Sequence, residues 1–130
     1  MDTHSRDTDV RMRVLADQLL RINGTSYAER HFEVVAYHVL SAALHCAEDL
    51  LDLEMAASVQ ERAERQQAEL DRTEPPHPLS TVGASRRGTH PLFTSLGRTA
   101  RAARARIKAQ LAQAHAQSVR HRHLPSSGFP

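Results

Sequence analysis

From Ser26 to Leu51 the chain is apolar around most of a helical circumference, and no other feature constrains the fold as strongly. Phe32, Val35, Ala36, Val39, Leu40, Ala43, Ala47 and Leu50 recur at three- and four-residue spacing and make one broad face. Val34, Tyr37, Ala42, Leu44, Cys46 and Leu51 widen it. A helix apolar on so many sides has to be surrounded, so this segment reads as the central member of a bundle. Ser26-Tyr27-Ala28-Glu29 fits a capping box that would start it.

Helices able to cover it lie on both sides. Met12, Leu15, Leu19 and Ile22 form a stripe on a first helix that starts near Asp7 or Thr8, with Asn23-Gly24 as its stop. Asp52 is placed to cap a third helix running to about Arg72, with Leu53, Ala56, Val59, Ala63 and Leu70 inward. One continuous helix through this region is the alternative, since no Gly or Pro separates Leu50 from Leu53. Residues 73–90 hold Pro75, Pro76, Pro78, Gly83 and Gly88 and read as a long flexible loop. A last helix follows, with Pro91 in its first turn and Phe93, Leu96, Ala100, Ala103, Ile107, Leu111 and Ala114 on one face, ending near Gln117. Ser118 to Pro130 reads as a disordered basic tail. The expected architecture is one all-α domain over residues 1–117, an antiparallel bundle of about four helices with a long loop before the last.

A lone cysteine, Cys46, excludes an intramolecular disulfide and, within an apolar run, is expected to act as a small hydrophobe. No apolar stretch approaches the roughly 20 residues of a membrane span, and the first residues lack the apolar core of a secretory signal, so a cytoplasmic setting without membrane partners is expected.

Charge is divided along the chain. Residues 1–74 carry eight Arg against fifteen Asp and Glu, a net of −7, whereas residues 75–130 carry eight Arg and one Lys against no acid, a net of +9. Sixteen Arg to one Lys, with nineteen Ala, is the signature of a GC-rich genome and explains part of the arginine content. It does not explain the absence of acids. The candidate binding residues are therefore Arg86, Arg87, Arg98, Arg101, Arg104, Arg106 and Lys108. A nucleic-acid interface is one reading of them, but no aromatic lies among the arginines to stack on bases. A basic helix complementary to an acidic surface, of its own chain, of a second copy or of another protein partner, is the other.

Nine histidines raise the question of a metal. His31, His38 and His45 share a helical face, but spacings of seven residues separate successive rings by about 10.5 Å along the axis. Ligands within about 2 Å of one zinc ion cannot be that far apart, so neither metal nor cofactor is expected. His38, His45 and Glu48 remain the candidates for any catalytic role. Nucleophile elbows and His-Glu-x-x-His are absent, and the Arg-to-His spacings on helices exceed the four to six intervening residues of helical ribonucleases: seven for Arg30–His38, eight for Arg106–His115. The expected function is a non-enzymatic interaction module that self-associates. The alternatives are a nucleic-acid binder using the Arg-rich helix and a metal-dependent activity around the histidine stripe.

Overall fold

The computed structural model describes residues 3–123 and contains helices only: α1 (Thr3–Ala28), a π-helical turn (Phe32–Tyr37) leading without a break into α2 (His38–Leu50), α3 (Leu53–Thr73), the short α4 (Thr81–Arg86) and α5 (Leu92–His123). Side-chain contacts set the directions. Asn23 on α1 reaches Ala36 beside the start of α2, so those two run antiparallel. Arg62 on α3 donates to the Leu20 carbonyl and Gln66 meets Asn23, so α1 and α3 run parallel. Arg104 donates to Gln60 and the Thr94 amide to Gln67, so α3 and α5 run antiparallel. α1 packs on α2, α2 on α3, and α3 most extensively on α5. The expected bundle of four long helices is what forms, with α2 burying Leu40, Ala43, Leu44, Cys46 and Ala47.

Both turns around α2 are built alike. After α1, the His31 amide donates to the Ser26 carbonyl and the Arg30 amide to that of Tyr27. After α2, the Asp52 amide donates to Ala47 and the Leu51 amide to Glu48. Each is a Schellman termination, and the residue in the left-handed position is Arg30 (φ 68°) in one and Leu51 (φ 52°) in the other. Asp52 then caps α3, its Oδ1 accepting from the Met55 amide at 3.0 Å. The break at Asp52 is thus present, and the continuous-helix alternative falls.

Several boundaries differ from the sequence reading, beginning with α1, which is already helical at Thr3 rather than starting near Asp7 or Thr8. α1 does not stop at Asn23-Gly24 but runs to Ala28, because Asn23 is wholly buried and hydrogen-bonded to Gln66 and the Ala36 carbonyl. Its inner face turns accordingly: Ala16, Asn23 and Ser26 are buried with Met12, Leu19, Leu20 and Tyr27 beside them, while Leu15 and Ile22 are exposed. The Ser26–Glu29 capping box therefore does not start α2; Ser26 lies in the last turn of α1. Residues 73–90 are not structureless. Asp71 accepts from the Thr81 amide (2.7 Å) and hydroxyl (2.6 Å), Gln67 donates to the Leu79 carbonyl, and Ser80 Oγ caps α4 through the Gly83 amide. Polar side chains of α3, remote in sequence, supply what the Pro and Gly pattern could not announce. Finally, α5 continues six residues past Gln117 to His123, so Ser118–His123 is helical; the rest of the expected tail lies outside the described residues.

Two clusters fill the interior. Ala43, Ala47, Ala56, Ala63, Ala100 and Ala103 line the seam of α2, α3 and α5 with Leu40, Leu44, Val59, Leu96 and Ile107. Alanines at so many facing positions let helix axes approach toward the near limit of about 8 Å. At the end of the bundle beside α4, Phe32, Ala36, Leu70 and Phe93 pack with Tyr27, Tyr37 and Leu79. Tyr27 lies 4.9 Å from Phe32 and 5.9 Å from Phe93 between ring centres. Aromatics close that end.

Candidate functional site

α5 has one buried row, which leaves most of its circumference to basic side chains. Three of these meet α2 and α3. Arg106 Nη2 donates to Glu48 Oε2 at 2.8 Å, Arg104 Nη1 to Gln60 Oε1 at 2.8 Å, and Arg101 Nη2 stands 3.6 Å from Glu64 Oε2. All three partners come from the acid-rich half of the chain. The two ion pairs, Arg106–Glu48 and Arg101–Glu64, contribute roughly 0.2–1 kcal/mol each as surface pairs, so they orient α5 more than they hold it. Arg98 and Arg101 border a shallow groove of about 290 Å³ between α3 and α5, whose opposite wall carries Glu64 and Asp71. Arg86 and Arg87 stand at the end of α4, apart from that groove, and Lys108 lies where α5 leaves the bundle. Arg101, Arg104 and Lys108 line a second groove with Leu53, so the candidate basic residues form two groups, one along α5 and one at the end of α4.

His31, His38 and His45 all face outward. His38 meets the edge of Tyr37 at 5.3 Å. His45 is 76% exposed and its Nδ1 stands 3.6 Å from Glu48 Oε1, beyond hydrogen-bond reach. Glu48 is shared between His45 and Arg106, whose side chains are 76% and 58% exposed. His38 does not join them. Among the described residues no three His, Cys, Asp or Glu side chains come together as a metal-binding set. Burial pushes the Cys46 thiol pKa up, with Asp49 adding to it, which disfavours the reactive thiolate.

A second group, at the aromatic end, escaped the sequence reading. Arg30 leaves its left-handed turn to ion-pair with Glu74, and its guanidinium lies 5.4 Å from the Phe32 ring centre. His77 also meets Phe32, with the rings near perpendicular and 5.3 Å between centres, and accepts from the Leu79 amide through Nδ1. Burial, then the carboxylates of Glu69, Glu74 and Asp71, push the Tyr27 hydroxyl pKa up to about 12, and that hydroxyl donates to the Gln66 carbonyl. The group ties the turn after α1 and the segment after α3 to the aromatic cluster. Its only sequence signal is the absence of Gly where α1 ends, which a search for Gly stops passes over.

Half of the exposed large apolar side chains among the described residues lie on α1, while Val34 on the π-helical turn is the most exposed. Val10, Val14, Leu15 and Ile22 of α1 are 44–59% exposed. On α5, Ile107 is the last buried side chain, and residues 108–122 lie almost entirely in solvent. No helix among the described residues is long and apolar enough to cross a membrane. No protein-family model, curated protein or solved structure matches this chain.

Proposed function

We propose that this protein is a non-enzymatic interaction module that associates with a second copy of itself. The observation that carries this reading is the overhang of α5. Ile107 ends the buried part of the helix, yet the helix goes on to His123. An extension that adds no fully buried side chain among the described residues adds little to the stability of its own fold, because helical stability in proteins comes chiefly from packing an amphipathic face. Its apolar row also goes on, through the 39% exposed Leu111 to Ala114. A protein partner would cover it. A lone, buried, unpaired thiol suits a reducing cytoplasmic setting for such an assembly. Sedimentation velocity of the full chain at tens of micromolar tests the reading; a species larger than one chain is expected, and a compact monomer throughout would remove it.

Nucleic acid is the second reading, favoured by one observation: Arg86, Arg87, Arg98 and Lys108 carry no ion pair to an acid of the chain among the described residues. It is weakened by the partners that Arg101, Arg104 and Arg106 already have. Titration with single-stranded and duplex oligonucleotides at two salt concentrations checks it, with binding at low salt required.

A further inference from the structure

We infer that two copies associate through their α5 overhangs, which pack antiparallel so that the basic tip of each, Arg120 and Arg122, seats against the corner formed by Asp49, Leu51 and Glu54 of the other. This rests on the self-association reading and gives it a surface.

The corner and the overhang belong to the same end of the bundle. Arg106 pairs with Glu48 in the last turn of α2, so α5 leaves the bundle beside the turn that joins α2 to α3. From Lys108 to His123 the helix then extends about 24 Å at 1.5 Å per residue. It grows from a helix already nucleated and packed, which removes the unfavourable first turn, but in solvent it stays marginal.

Two properties of the overhang select its partner. The first is its apolar row. Ala100, Ala103 and Ile107 are buried in the seam with α2 and α3, and the same three-four rhythm passes on through Leu111, Ala114 and Ser118 outside it. Small residues at two of those three positions permit close approach of a second helix bearing the same row. The second property is charge. The overhang has no acid; its cations are Lys108 at the base and Arg120 and Arg122 at the tip, with His115 and His121 between and beside them.

Parallel overhangs would bring four tip arginines together. Antiparallel overhangs instead place each tip beside the other copy's base. There Leu51 is 37% exposed in its left-handed turn, and Asp49 and Glu54, both exposed, have no ion pair among the described residues. Their neighbours Glu48 and Asp52 are taken by Arg106 and Arg13. Lys108 offsets one of the two free carboxylates, and the incoming arginines more than complete the balance. The arrangement maps onto itself under a two-fold rotation, with the axis near Ala114, and so closes as a dimer rather than a filament.

A pair of helices about 24 Å long and 10 Å wide makes a small interface beside the roughly 800 Å² per partner of a standard one. The dimer is therefore weak and sensitive to salt.

The test uses sedimentation equilibrium of the full chain and three charge variants, each checked for helix content by circular dichroism. Asp49→Lys with Glu54→Lys, and separately Arg120→Glu with Arg122→Glu, are each expected to weaken dimerisation about tenfold or more, since close like charges are strongly unfavourable at an interface. All four changes in one chain reverse both surfaces and restore the dimer. In parallel, Ala114→Cys is expected to form a disulfide-linked dimer on mild oxidation, whereas Arg21→Cys on the outer side of α1 does not. Dimers whose affinity ignores the charge reversals, or an Ala114→Cys chain that stays unlinked, overturn the antiparallel overhang while leaving self-association intact. A monomer at every concentration removes the self-association reading itself.

Discussion

Asn23 shows how one buried amide redirects a helix. It is fully buried; its Nδ2 donates to the Ala36 carbonyl and to Gln66 Oε1, and its Oδ1 accepts from Gln66 Nε2 at 2.7 Å. Replacing Asn23 with Leu strands the Gln66 amide and the Ala36 carbonyl, a loss of about 2–3 kcal/mol measurable by urea unfolding. Adding Gln66→Leu is expected to recover part of it. Two glycines make the same point with opposite signs. A Cβ on Gly83 would stand 1.9 Å from the His77 carbonyl oxygen, so Gly83→Ala displaces α4 and costs about 2–3 kcal/mol. Gly24 lies inside α1, where a Cβ would find only ordinary contact at 3.7 Å with Arg62. Gly24→Ala is therefore expected to raise stability by about 0.5–1 kcal/mol in the same unfolding experiment. In the sequence, Asn-Gly reads as a stop, because hydrophobic spacing assigns no weight to an asparagine that belongs to the core.

At the scale of elements, legibility depended on whether the deciding contacts were local. The cap at Asp52 and the apolar breadth of α2 are local in sequence, and both were legible. The fold of residues 74–91 is not local: it hangs on Gln67 and Asp71 of α3, and on a bare Cα at Gly83. Burial acts against the Asp71 carboxylate, but hydrogen bonds from the Thr81 hydroxyl and amide and from Gln67 outweigh it and hold its pKa below the usual carboxylate range. Arg30 lowers Glu74 in the same direction. A carboxyl group whose folded pKa is lowered stabilises the fold above its unfolded value, about 4, and that contribution disappears as pH falls through the lower folded value. Asp71→Asn is thus expected to flatten the decline of stability below about pH 4 and to raise proteolysis between residues 74 and 91 at neutral pH. Unchanged acid unfolding in this variant would show that the Thr81 hydrogen bonds do not anchor the segment. The histidine stripe was equally local, and its helical spacing already forbade a shared metal ion.

Across the whole molecule, the division of charge resolves into geometry: the acid-free α5 lies along α3 and meets Glu48, Gln60 and Glu64. The two ends of the bundle differ. Four aromatic residues and α4 close one; from the other, α5 runs on past its last buried side chain. If that extension served folding, its removal would destabilise the chain. Ending the chain after Ala109 removes no buried side chain among the described residues, so the unfolding free energy of the dilute protein is expected to change by less than about 0.5 kcal/mol, as for a surface change. Ile107→Ala, two residues earlier, opens a cavity where the side chain is 1% exposed and is expected to cost about 2–5 kcal/mol. Chemical unfolding of both variants, at concentrations too low for association, measures the contrast. A truncation as damaging as Ile107→Ala would assign the overhang to the fold. The expected result leaves an acid-free helix with no folding task, free to serve the self-association proposed for it.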